Sequence, residues 1–165
     1  MKSPHILLAA SNVRKMLENI RHLLDPNAVQ LLVNEINRNG IGLFRLGHQH
    51  YRFAVQIDFR FWRQKVSRLY YSVYNVRRAV VLIQNGVYNT DLSDHKNVGE
   101  LPADFPNRET YTRRFTDLRN DRNLADYSHD ASKKDLVISP SEAEDLARQF
   151  LKDARSYLRV RGVRV

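Results

Sequence analysis

The chain contains no cysteine among its 165 residues. It can therefore form neither disulfides nor thiolate metal sites, and such a composition is typical of the reducing cytoplasm. Long apolar runs are also lacking, since no stretch approaches the roughly 20 residues that a membrane helix requires. The apolar run at residues 6–10 is too short for a signal peptide. We therefore expect a cytoplasmic protein with no membrane contact, whose 42% hydrophobic content excludes a disordered chain.

Negative charge is scarce relative to positive charge. The chain has 18 acidic residues against 27 lysines and arginines, a formal net charge of +9, and most of the basic residues are arginine. Arginine binds phosphate bidentately and stacks on bases, whereas lysine acts mainly as a point charge. A polyanionic partner is therefore expected, with nucleic acid first. The alternatives are that the charge serves solubility or complements an acidic protein.

The first part of the chain predicts two helices and a loop. Apolar residues recur at three- and four-residue steps over residues 11–24, which is typical of an amphipathic helix. A second helix is predicted over residues 28–37, with Pro26 in its first turn. Asn39 and the glycines after it predict the end of this helix and a loop, at Gly40, Gly42 and Gly47.

Residues 51–61 alternate strictly between apolar and polar side chains. This alternation is a strand signal, and residues 43–46 are the only candidate for a partner strand. A single strand without a partner cannot satisfy its backbone hydrogen bonds, so the pattern alone leaves strand and helix open.

The clearest helix prediction covers residues 66–83. Apolar side chains recur there at steps of three and four, as in a helix buried on one side; they are Val66, Leu69, Val73, Val76, Val80 and Ile83. Asn85 and Gly86 end this helix. Glycine and proline breaks then predict a loop over residues 87–107, and a loop of this length is usually functional.

Two further helices complete the prediction. The first runs from Asn107 to about Ser128. The second begins at Ser139, because this serine, Pro140 and Glu142 provide a cap, a first-turn proline and a capping box. The basic tail over residues 159–165 is expected to fray.

A candidate site lies near the end of the first of these helices. If the helix continues to His129, Arg122 and His129 are seven residues apart and share one face. A fixed positive charge beside a group that moves protons near neutral pH suits phosphodiester chemistry. The alternative is an ion pair between Arg122 and Asp126 at i,i+4, with His129 solvated beyond it.

Three segments resemble, in this order, the HEPN superfamily of small helical bundles. The serine-arginine and tyrosine-tyrosine pairs within residues 66–75 are similar to that family's second core helix. Residues 94–98, with a histidine-lysine pair, are similar to a segment of the following loop. Residues 122–127 are similar to its arginine followed by alanine-aspartate-tyrosine. The resemblance covers residues 50–160 and implies that residues 50–61 form a helix.

The resemblance implies an all-α, antiparallel helical bundle of the HEPN type that dimerises. Residues 1–45 would form an N-terminal helical extension, and residues 46–165 the HEPN-like bundle. Many members are metal-independent ribonucleases with a site at the dimer interface. Their site combines an arginine, the polar residue after it, and a histidine four to six positions further on.

Carried onto this chain, the family's catalytic residues are Arg122, Asn123 and His129. RNA contacts are expected at Asp126, Tyr127 and Arg119, and at His95 and Lys96 of the loop, for which the alternative is that they are solvated polar residues without a role. Position 127, where the commonest spacing puts histidine, holds Tyr127. Members with the alanine-aspartate-tyrosine form often lack the catalytic histidine.

We therefore expect a metal-independent endoribonuclease of the toxin or phage-defence kind, without a cofactor, acting on RNA as a homodimer. Attack by the 2′-hydroxyl would use His129 as base and acid and Arg122 as phosphate clamp. The alternative is a non-catalytic module that binds RNA or nucleotide and pairs with a cognate nucleotidyltransferase antitoxin or a larger effector. Tyr70, Tyr71 and Tyr74 are expected in the core rather than as base-stacking residues.

Overall fold

The computed structural model describes residues 5–88, 95 and 97–165. This part of the chain has no strand, which confirms the all-α prediction. Short 3-10 helices lie between or before the longer helices, at His5–Leu8, Arg21–Leu23, Phe59–Phe61 and Lys133–Asp135. The longer helices are α1 (Val13–Ile20), α2 (Pro26–Gln56), α3 (Trp62–Asn85), α4 (Arg108–Tyr127) and α5 (Pro140–Val160).

The predicted loop after residue 37 is wrong, because α2 continues through all three glycines as a helix of 31 residues. Gly40 and Gly47 lie where α2 approaches α3 most closely. A Cβ atom on Gly40 would come within 2.4 Å of Ile83, and one on Gly47 within 2.7 Å of the Ser72 carbonyl oxygen. These two glycines therefore permit close packing of two helices and do not mark a turn.

The pattern of contacts gives a bundle whose successive helices run antiparallel. Gly40 lies at Ile83 and Gly47 at Val76, so residue numbers rise in α2 as they fall in α3. Between α3 and α4, Arg63 contacts Ala125 and Tyr71 contacts Arg122. The pair α4 and α5 is joined from Tyr111 to Asp153. These pairings confirm the helical bundle and leave the HEPN type as a proposal.

The core surrounds α3, whose predicted apolar stripe is buried along its whole length. Gly86 ends α3 in the left-handed conformation, with φ of 71°. Ser139 caps α5, where the predicted capping box with Glu142 forms in both directions. Tyr70 and Tyr74 are buried as expected, whereas Tyr71 is half-buried.

The helix that the resemblance implies over residues 50–61 is confirmed only as far as Gln56, where α2 ends. The helix stops at Gln56, and Asp58 caps the short 3-10 helix at Phe59–Phe61 through a bond from the Arg60 N–H. Alternation along residues 51–61 therefore did not reflect a strand.

The N-terminal helices pack on the bundle through a second, smaller apolar cluster. Leu7, Val13, Ile36 and Leu82 bury their side chains together. The boundary that the sequence predicts between residues 45 and 46 falls inside the continuous α2.

The C-terminal tail is ordered by contacts, so the expectation of fraying is wrong. Arg161 donates to Gln84 at 2.8 Å and to Asp104, and it lies over the Tyr157 ring. Val163 is buried. Within the described residues, every helix is too short or too polar to cross a bilayer.

Candidate functional site

Arg122 lies between α4 and α3, and its guanidinium is held by three polar neighbours. Its Nη2 donates to the Tyr71 hydroxyl at 2.6 Å, and its Nη1 donates to Asn123 Oδ1 at 3.1 Å. Its Nε lies 2.7 Å from Asp126 Oδ2, an ion pair that is not aligned as a hydrogen bond. The i,i+4 pair predicted as the alternative is therefore present.

Aromatic rings surround the same guanidinium. Its central carbon lies 5.3 to 5.6 Å from the ring centroids of Tyr70, Tyr71 and Tyr127. Burial alone disfavours the charge of Arg122, but Tyr71 and Asp126 outweigh it and raise the pKa above its usual value. With a side chain 14% exposed, Arg122 is a fixed cation with little freedom to move.

His95, from the loop after α3, joins this cluster. Its Nδ1 lies 2.7 Å from the Tyr70 hydroxyl, and its ring stacks on Tyr74 at a centroid distance of 4.3 Å. Burial raises the pKa of Tyr70, and the positive charges of Arg122 and Arg119 oppose this only in part. The structure thus brings together His95, Arg119 and Arg122. Lys96, predicted beside them, lies outside the described residues.

The remaining predicted contacts lie at the C-terminal end of α4. Asp126 faces α3, where the Ser67 hydroxyl donates to its Oδ2 at 3.5 Å. Asn123 and Tyr127 are exposed, and Tyr127 retains 73% of its accessible surface. Asp126 therefore belongs to the cluster, while Asn123 and Tyr127 lie at its solvent edge.

His129 does not share a helical face with Arg122, because α4 ends at Tyr127 and Ser128 is extended. The backbone around this helix end is held from α3. Arg63 donates to the carbonyl oxygen of Ala125 at 2.8 Å, a group left open by the helix end, and to that of Ala131 at 2.7 Å in the segment that follows. The same guanidinium reaches the backbone oxygen of His129 at 3.3 Å. The side chain of His129 lies in an exposed turn.

A groove of about 380 Å³ runs along α3 beside the cluster, and it is lined by Arg63, Gln64, Ser67, Arg68, Tyr71, Ala125 and Asp126. Arg68 lies over the Phe53 ring at 5.7 Å. Neither Arg63 nor Arg68 was predicted from the sequence as a site residue. Arg68 lies within residues 66–75, which resemble the second core helix of the HEPN superfamily, whereas Arg63 has no local signal.

The charged groups of this groove could bind an anion such as a phosphate. Arg63 and Arg68 supply positive charge, and Tyr71 offers a ring face for stacking. Among the described residues, no three histidines or carboxylates lie close enough to bind a metal ion.

Comparison with known proteins gives no relative. No protein-family model matches the chain, and neither a curated protein nor a solved structure matches it.

Proposed function

We propose that this protein is a HEPN-like helical bundle that binds RNA through the groove beside Arg122. One observation carries the proposal: the three segments that resemble the HEPN superfamily meet at one place. Tyr71 contacts Arg122, Ser67 contacts Asp126, and Tyr70 contacts His95. Residues separated by up to about sixty positions thus form one polar cluster next to a basic groove.

The chemistry of binding follows from the ion pair. Asp126 occupies one side of the Arg122 guanidinium. A phosphate also binds arginine bidentately and would compete with the carboxylate for the guanidinium. Arg63 and Arg68 would add positive charge along the RNA strand, and Tyr71 would stack against a base of the RNA.

The test removes the competing carboxylate. In Asp126→Asn, affinity for a short labelled single-stranded RNA should rise severalfold, measured by fluorescence anisotropy in EDTA. Asp130→Asn is the matched control, because Asp130 is exposed in the next turn and the charge change is the same. Arg122→Gln should weaken binding. Equal affinities of Asp126→Asn and Asp130→Asn would contradict the proposal.

A second candidate function is metal-independent RNA cleavage, and the exposed His129 favours it. Arg63 fixes the backbone of this residue close to the end of α4, so its position relative to the cluster is defined. In a two-fold dimer, two copies of His129 would act as base and acid while Arg122 and Asn123 face the phosphate. Proton transfer of this kind contributes ~10²–10⁴-fold in rate. Toxin or phage-defence activity belongs to this candidate, whereas pairing with a nucleotidyltransferase antitoxin or a larger effector belongs to the non-catalytic binding function.

Cleavage is tested with purified protein and total RNA in EDTA. The wild-type protein should leave 2′,3′-cyclic phosphate ends, and His129→Ala should lose cleavage while keeping its affinity for RNA. Cleavage by His129→Ala at the wild-type rate would reject the role of His129. If the wild-type protein binds RNA and leaves it intact, only the non-catalytic binding function stands.

A further inference from the structure

A second basic surface lies between α2 and α5, away from the Arg122 cluster. Four cations follow α5 at steps of four, three and four residues: Arg148, Lys152, Arg155 and Arg159. This spacing keeps them on one helical face over ~16 Å of axis. They form a row of positive charges along the helix.

This row forms one wall of a groove between α2 and α5. A cavity of about 290 Å³ is lined by all four cations together with His48 and Tyr51 of α2. A second cavity of about 550 Å³ shares Arg155 and Arg159 and continues to Arg164. Among the described residues, neither aspartate nor glutamate lines these two cavities. We call the surface that lines these two adjoining cavities the α2–α5 groove.

Most of these charges have no acidic partner. Within the described part of the chain, Lys152, Arg159 and Arg164 make no ion pair, whereas Arg148 contacts Asp145. Arg155 lies 5.5 Å from the Phe44 ring centroid, and its buried Nε has no hydrogen-bond partner. Unpaired donors of this kind are rare in a partly covered position, because each costs the loss of a hydrogen bond with water.

The positive potential of the groove acts on His48. Burial lowers the pKa of His48, and the charges of Arg155 and Arg52 lower it further. A bound anion would counteract the positive charges of Arg155 and Arg52 and would therefore raise the pKa of His48. The histidine therefore serves as an internal reporter of anion binding.

We propose that the α2–α5 groove binds the phosphate backbone of single-stranded nucleic acid. A regular row of cations matches a regular row of phosphates, and arginine, the commonest cation in the groove, binds phosphate bidentately. The rings of Tyr51 and His48 lie in the same groove and offer faces for stacking on bases. An acidic peptide would match the charges but would leave these rings without a role.

This inference does not rest on the proposed function, because the groove shares no residue with the Arg122 cluster. Arg122→Gln should therefore leave the contribution of the groove intact. The two proposals can fail separately in one binding assay.

The test compares two triple variants with the same net charge. The first, Lys152→Gln/Arg159→Gln/Arg164→Gln, removes unpaired cations of the groove. The second, Arg21→Gln/Lys133→Gln/Lys134→Gln, removes exposed cations elsewhere. Binding of a short fluorescein-labelled single-stranded oligonucleotide is measured by anisotropy at several salt concentrations, with thermal unfolding as a check on folding.

The groove variant should bind about tenfold or more weakly than the wild-type protein. Its slope of log affinity against log salt should fall by ~0.7 for each phosphate that the variant no longer neutralises. The control variant should remain close to the wild-type protein. Equal weakening in the two variants would show that only net charge matters and would overturn the proposal.

Two further measurements complete the test. Titration of His48 by NMR should give a higher pKa when the oligonucleotide is bound, and an unchanged value would contradict binding in the groove. Polyglutamate is the competing probe. If polyglutamate binding depends on the groove and oligonucleotide binding does not, the ligand is an acidic protein and the proposal is wrong.

Discussion

The Tyr71 hydroxyl accepts a hydrogen bond from Arg122 Nη2 at 2.6 Å, across 51 positions of sequence. This bond joins α3 to α4 at the centre of the candidate site. Asp126 and Asn123 hold the other nitrogens of the guanidinium, so Arg122 joins α4 to α3 directly beside the groove. Substitution of Arg122 is therefore expected to change stability as well as the proposed RNA binding.

The first prediction concerns that hydrogen bond. Tyr71→Phe should lower the free energy of unfolding by about 1 kcal/mol, since the bond involves a charged donor in a half-buried position. Urea denaturation measures the change. Tyr127→Phe is the matched control, because Tyr127 is exposed, and it should stay within about 0.5 kcal/mol of the wild-type protein. Equal effects would show that the bond to Arg122 contributes nothing.

The second prediction separates two glycines of α2. Gly47→Ala should destabilise the protein by about 1–3 kcal/mol, because its Cβ would lie 2.7 Å from a backbone oxygen of α3. Gly42→Ala should instead stabilise it by about 0.5–1 kcal/mol, because no atom lies within 4 Å of that position and alanine favours helix. Thermal unfolding of both variants gives the comparison. Destabilisation by Gly42→Ala would contradict the packing described for α2.

The third prediction concerns Lys65, which is 1% exposed and lies 2.7 Å from Glu144. Lys65 also donates to the carbonyl oxygens of Ala54 and Ile57. Glu144→Gln would leave a buried cation without its counter-charge. Because Glu144 is 28% exposed, we expect a loss of about 2 kcal/mol, less than for a fully buried pair.

Asp145→Asn provides the control for this pair. Asp145 is adjacent in sequence, and its ion pair with Arg148 is exposed, so its loss should cost less than about 0.5 kcal/mol. Guanidinium denaturation of the two variants should show this difference. A smaller loss for Glu144→Gln than for Asp145→Asn would contradict the importance of the Lys65 pair.

The fourth prediction concerns pH. Burial lowers the pKa of both His48 and His50, and nearby arginines lower each further. The unfolded chain therefore takes up these protons at higher pH than the folded protein does. Stability is complete above the ordinary histidine pKa of about 6.5 and falls as the pH decreases below it.

The urea midpoint should thus decrease between about pH 7.5 and about pH 5.5. In the double variant His48→Gln/His50→Gln this decrease should be smaller. A midpoint that stays constant or rises as the pH falls would refute the assigned direction of the two shifts.

Several features set by local sequence were predicted correctly. The capping box at Ser139 and the Arg122–Asp126 pair involve residues three or four positions apart, so their spacing shows in the chain itself. The stripe of α3 follows from helical periodicity alone. Such features need no knowledge of how helices pack.

Features set by distant contacts were missed. Gly40 and Gly47 resemble helix breakers in sequence, and their role depends on Ile83 and Ser72 of another helix. The backbone that follows the end of α4 is held by Arg63, more than sixty positions away. The relation between Tyr71 and Arg122 likewise has no local signal.

The continuity of α2 has a practical consequence for shortened forms of the protein. A fragment that starts at residue 46 would divide α2 and remove its cap at Asp25. It would also expose Leu82, which packs against residues of the missing part. Ile83 would lose the backbone of Gly40 against which it rests. Fragments intended for binding or crystallisation work should therefore keep the whole of α2 together with the short helices that precede it.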